Sequence, residues 1–164
     1  MRSYIPSIFV LGIAAFMAFM FAKKRNPVLE NQIERNSAAK VLFITITMQC
    51  IHFIEEAITG FNIKLGELFG IPAMSFSFFL IFNFIWIGIW IYSIFGLRSG
   101  DGFAFFAAWF LSIAGVLNGI IHPLLSIMSG KYFPGTISSL FVAIASIWLW
   151  YKLNKVAQSK NVKP

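Results

Sequence analysis

Val41-Leu42-Phe43-Ile44-Thr45-Ile46-Thr47-Met48-Gln49-Cys50-Ile51-His52-Phe53-Ile54-Glu55-Glu56-Ala57-Ile58 decides how the chain is read. It is an apolar run long enough to cross hydrocarbon, yet it holds a histidine and two adjacent carboxylates near one end. At about 100° per helical residue, His52, Glu55 and Glu56 share one side of a helix. Ionisable groups inside a membrane helix cost free energy, so they face a partner, a metal or a water-filled cavity. Cys50 points to the opposite side, and a single cysteine excludes an internal disulfide and a thiolate cluster.

Composition supports a membrane setting. The 164 residues are 59% hydrophobic and 12% charged, with 20 Phe. An ordinary globular domain carries about 25% charged residues and could not bury this much apolar surface at this size. The formal net charge is +7, but the cations flank apolar runs, where they set orientation and meet anionic lipid heads. A nucleic-acid partner is not expected; the bilayer is.

The fold expected is all-α, a polytopic membrane bundle of five spans. They are drawn at Tyr4–Ala22, Ala38–Thr59, Ala73–Leu97, Phe103–Met128 and Thr136–Tyr151. In organisation, residues 1–22 are an anchor helix, 23–36 a cytoplasmic loop, 37–151 a four-helix core and 152–164 a basic cytoplasmic tail. Cations follow the first run at Lys23-Lys24-Arg25, the reverse of a secretory signal, so a retained helix is expected. Asn36 or Ser37 is expected to cap the second span and Gly60 to stop it. Phe61–Gly70 reads as a loop or half-buried turn. Pro72 should open the third span, and Pro123 should kink or end the fourth near His122. With the first loop cytoplasmic, that side holds ten cations (Lys23, Lys24, Arg25, Arg35, Lys40, Arg98, Lys152, Lys155, Lys160, Lys163) against Arg2, Lys64 and Lys131 outside. The positive-inside rule then places the N-terminus outside and the C-terminus in the cytoplasm of a cell membrane.

Two polar stripes emerge. On the second span, Thr45, Gln49, His52 and Glu56 recur at steps of four, three and four. On the fourth, Ser112, Gly115, Gly119, His122 and Ser126 do likewise, with Asn118 one turn before His122. Small residues let membrane helices approach and polar ones bond across the contact, so these stripes are expected to face each other. In the expected topology the histidines and glutamates reach similar depths in the outer half of the membrane. His52, Glu55, Glu56, Asn118 and His122 then form a candidate ligand set whose mixed nitrogen and oxygen donors suit zinc, iron or manganese. A glutamate not used as a ligand would serve as general base. The order differs from the zincin His-Glu-x-x-His pattern, so peptidase activity has no motif behind it. Proton or ion translocation through the Glu pair, and a polar network that only specifies packing, stay open as alternatives.

His52-Phe53-Ile54-Glu55-Glu56, the separate His122 and Tyr132-Phe133-Pro134-Gly135 together resemble the signature of the HXXEE-domain proteins, an integral-membrane family of uncharacterised function. The resemblance spans about His52 to Gly135. It supports the choice of residues, supplies no reaction, and adds Tyr132 as a hydrogen-bond donor to a substrate or to a ligating glutamate. Pro134-Gly135 would otherwise simply start the fifth helix.

Overall fold

The structure is a computed structural model describing residues 5–24 and 31–158, with side chains described for residues 9–24 and 31–157. Among the described residues six helices follow one another: α1 (Ile5–Lys24), α2 (Gln32–Thr59), α3 (Phe61–Phe69), α4 (Phe76–Ser99), α5 (Gly102–Ser129) and α6 (Thr136–Gln158). Among the described residues, α2, α4, α5 and most of α6 are long and apolar enough to cross a membrane. The most apolar window of α4 has a mean hydropathy of 2.1 but is only 17% buried. Phe43, Phe84, Phe95, Phe141 and Ile144 are likewise exposed. So wide an apolar exterior suits hydrocarbon as the surrounding solvent, since soluble monomers rarely expose contiguous apolar patches beyond a few hundred Å².

The helix ends are set by local chemistry. α2 starts earlier than expected, because Asn31 rather than Asn36 or Ser37 accepts the free N–H of Glu34. Gly60 closes it in the left-handed conformation, φ 78°. The stretch read as a loop, Phe61–Gly70, is instead mostly the nine-residue α3. It folds against the connection that follows: Asn62 Nδ2 donates to the Met74 carbonyl and Met74 N–H to the Asn62 carbonyl. Gly66 permits this approach, since a Cβ there would lie 2.8 Å from the Ile71 carbonyl oxygen. Pro72 lies in that connection, and α4 begins only at Phe76. Pro123 does not end α5, which is continuous from Gly102 to Ser129. The Thr136 hydroxyl, at the start of α6, donates to the His122 carbonyl just before the proline. α6 runs past Tyr151 to Gln158, shortening the expected tail.

α6 is the shared partner of α2 and α5. Thr45 of α2 donates to the Ala145 carbonyl, and Ser112 of α5 to the Ser146 carbonyl. A Cβ on Gly115 or Gly119 would run into Ser146 or Ala143. The two polar stripes therefore both face α6 along most of their length, rather than each other. α4 lies antiparallel to α2, with Arg35 Nε of α2 donating to the Arg98 carbonyl at the end of α4. α1 packs on α5, where Phe21 stacks on Trp109 with ring centroids 5.0 Å apart.

One core, around Leu42, Leu97, Phe105, Trp109 and Leu149, fills the end of the bundle where α2 begins. A smaller one, around Phe53, Leu65, Phe79, Leu125 and Phe133, lies at the other end. The polar cluster sits beside the smaller core.

Candidate metal centre

The turn between α5 and α6 builds the site. Ser126, near the end of α5, accepts the Phe133 N–H (2.8 Å) and bonds the Thr136 hydroxyl (2.9 Å). The 130–135 segment is thereby folded back over α5, bringing the Pro134 carbonyl to 2.7 Å from His122 Nδ1. A carbonyl only accepts, so Nδ1 carries the proton and the lone pair of His122 sits on Nε2. His52 is anchored in the same way from α6: its Nδ1 lies 2.9 Å from the Ser138 hydroxyl. Both rings are buried and meet edge to face, centroids 4.7 Å apart.

The free nitrogens converge on one carboxylate. Glu56 Oε1 lies 3.4 Å from His122 Nε2 and 3.7 Å from His52 Nε2. All three residues are buried, and one ligand atom from each falls within 4.8 Å of the others. His52 Nε2 has no hydrogen-bond partner among the described residues. A buried imidazole nitrogen without a partner is costly, and here it points at a second imidazole and a carboxylate. Ligand atoms bound tetrahedrally at about 2.0–2.1 Å from a zinc ion lie about 3.3–3.4 Å apart. The two nitrogen–carboxylate distances are close to that edge. Two histidines and one glutamate, each histidine held through its other nitrogen, could hold a metal ion.

The five residues expected as ligands divide into three groups. His52, Glu56 and His122 come together. Glu55 turns to the start of α6, where its carboxylate accepts the N–H groups of Ser138 (2.8 Å) and Ile137 (3.3 Å) and the Tyr132 hydroxyl. It binds there because the first N–H groups of a helix lack intrahelical partners and carry the positive end of its dipole. Asn118 lines the adjoining cavity together with Glu56 and His122. Burial and the hydrogen bond to Glu55 hold the Tyr132 phenol above its ordinary pKa, so it stays a proton donor at neutral pH.

Ser138 and Gly135 belong to the site; Ser138 did not stand out in the chain, and Gly135 entered only through the Tyr132-Phe133-Pro134-Gly135 motif. Gly135 sits at φ 84°, and a Cβ there would lie 2.7 Å from His122 Nδ1 and 2.8 Å from His52 Cε1. It thus starts α6 and also leaves room for both imidazoles. The only hint of Ser138 was Ser138-Ser139 at the head of an apolar helix.

Beside the cluster lies a cavity of about 320 Å³. Glu56, His122, Asn118, Gln49 and Asn83 supply its polar wall, and the rest is aromatic and aliphatic. Asn83 also donates to the Phe79 carbonyl within its own helix. Comparison of the chain with protein-family models, with curated proteins and with solved structures finds no match.

Proposed function

We propose that the chain is a five-span protein of the cell membrane, N-terminus outside and C-terminus cytoplasmic. In this reading His52, Glu56 and His122 hold a divalent metal ion (zinc, iron or manganese) for hydrolysis of a lipid or envelope-linked substrate. One observation carries it: two buried imidazoles, each tied through Nδ1, turn their Nε2 atoms towards a single buried carboxylate. A bound ion would act as a Lewis acid on the scissile group. In hydrolysis, water adds to a carbonyl or phosphoryl centre, the bond to the leaving oxygen breaks, and the water's proton passes to the leaving group. The resemblance to the HXXEE-domain proteins agrees with this choice of residues and rests on the motifs alone.

Ion transport is less well supported. Thr45, on the stripe towards the far side, spends its hydroxyl on the Val41 and Ala145 carbonyls, and no polar path continues from there along the described part of α2.

Metal analysis of the purified protein tests the proposal. Wild type is expected to hold about one ion per chain, and the His52→Ala/His122→Ala double variant almost none, since metal affinity here depends on these ligands. Equal, negligible metal in both would sink the idea.

A further inference from the structure

The cavity extends well beyond the cluster. On α5 its wall runs from Phe110 to Leu125, and on α4 from Phe78 to Trp90. These stretches rise about 22 and 18 Å at 1.5 Å per residue. A volume of about 320 Å³ spread over such a length makes a long, narrow slot, shaped for an extended ligand. Small-ligand pockets start at about 300 Å³, so the volume is that of a binding site rather than a packing defect.

Its chemistry is graded along its length. At one end stand Glu56, His122 and Asn118, roofed by Phe61 and Leu65 of α3. At the other stand Trp86, Trp90 and Phe110, with Trp86 packed on Phe110 at 4.3 Å between ring centroids. Val10 and Leu11 of α1 form one flank and the phenylalanines of α4 the other, so the slot lies between two helices with lipid-facing surfaces.

We infer that this cavity binds one acyl chain of a membrane lipid, tail towards Trp90 and Phe110 and polar head group at His52, Glu56 and His122. The inference deepens the proposed function by naming a chain-bearing lipid as the substrate class. The occupant is argued from three observations together: the slot is long and narrow, its wall is mainly apolar with Gln49 and Asn83 part-way along it, and one end is the candidate metal centre.

Photocrosslinking tests the chain and its direction. The full-length protein is reconstituted in phosphatidylcholine vesicles containing a trace of fatty acid with a diazirine either near the carboxylate or at the chain end, and adducts are mapped by mass spectrometry. The carboxylate-proximal probe is expected on Phe61, Ile121 or Leu125, and the chain-end probe on Trp86, Trp90 or Phe110. Filling the slot with Ala114→Phe, or with Phe82→Trp should the first variant misfold, is expected to lower these adducts about tenfold. Adducts on the outer α6 surface at Phe141 and Ile144 should not change. Either of two outcomes overturns the inference: cavity adducts that do not depend on probe position, or adducts that persist undiminished in a folded filled variant. Metal content is measured on the same samples. Cavity adducts without metal in wild type would refute the metal reading and leave the lipid site standing; metal without cavity adducts would do the reverse.

Discussion

Gly135→Ala is the most discriminating single change, because its cost can be divided into two terms. The backbone at Gly135 lies at φ 84°, in the left-handed region, and the added methyl would meet His122 Nδ1 at 2.7 Å and His52 Cε1 at 2.8 Å. An L-residue in the left-handed region costs about 1–2 kcal/mol. Overpacking a closely packed site costs about 1–3 kcal/mol more. The expected total is about 2–5 kcal/mol, or a fall of about 4–20 °C in the unfolding midpoint at 2–4 °C per kcal/mol for a chain of this size. Gly130→Ala supplies the control. Its φ is 64°, and a Cβ there meets nothing within 4 Å, so only the backbone term of about 1–2 kcal/mol applies, a fall of about 2–8 °C. The assay is thermal unfolding in one detergent at one scan rate, which keeps the comparison valid if unfolding is irreversible. Gly135→Ala should also lose bound metal, because the imidazoles must move apart to admit the methyl, whereas Gly130→Ala should keep it. If the two variants melt together and bind metal equally, the imidazoles do not sit against Gly135 and the geometry of the site is wrong.

The neighbouring glutamates should separate cleanly. Glu55→Gln weakens the charge held at the start of α6, lowering stability by about 0.3–2 kcal/mol while metal stays bound; Glu56→Gln should abolish metal binding, and a reversal of the two in metal analysis would refute their assignment. Chelation of the wild type should lower its melting midpoint, since an ion present at 100 times its dissociation constant stabilises by about 2.7 kcal/mol; an unchanged midpoint in the His52→Ala/His122→Ala variant is the control. Gly115→Ala should cost about 1–3 kcal/mol through collision with Ser146 on α6, and added Ser146→Ala should recover part of it, which a double-mutant cycle on unfolding measures. Orientation is open to maleimide labelling in whole cells of Lys131→Cys, expected to react, and Arg98→Cys, expected to be protected, both in a Cys50→Ala background; the opposite pattern would invert the topology.

The stripe on α2 was legible because charge in an apolar helix has few explanations, and period alone identifies which residues share its face. Period does not say what that face meets. Thr45 and Ser112 both turned out to bond backbone carbonyls of α6, a helix whose apolar composition gave no sign that it would divide the two stripes. The divergence of Glu55 from Glu56 was likewise beyond reach. The two are about 100° apart on α2, and which of them meets the start of α6 depends on the tilt of two helices rather than on either sequence. α3 was missed for a local reason: nine residues with Gly66 in the middle and glycines at both ends read as a turn, and it is tied to the following connection by one backbone and one side-chain bond between Asn62 and Met74. The metal-ligand trio was legible by residue type, while the carbonyl of Pro134, which fixes the His122 tautomer, carries no side-chain signal.

The separation of the two carboxylates also answers a physical objection to the site. Adjacent glutamates in an apolar helix repel, and in a low-dielectric setting that repulsion is hard to screen. The fold sends one of them to the positive end of α6 and to the Tyr132 hydroxyl, where backbone N–H groups and a phenol compensate it. The other remains buried beside two imidazole nitrogens. The bond that neutralises Glu55 also fixes α6 in register, and that register delivers Ser138 to His52. Removing Glu55 should therefore loosen His52 at second hand. Glu55→Ala, which leaves the N–H groups of Ile137 and Ser138 without this acceptor, should weaken metal binding more than Glu55→Gln does, although neither change touches a proposed ligand. Equal metal affinities in the two variants would show that the cap and the metal centre are independent.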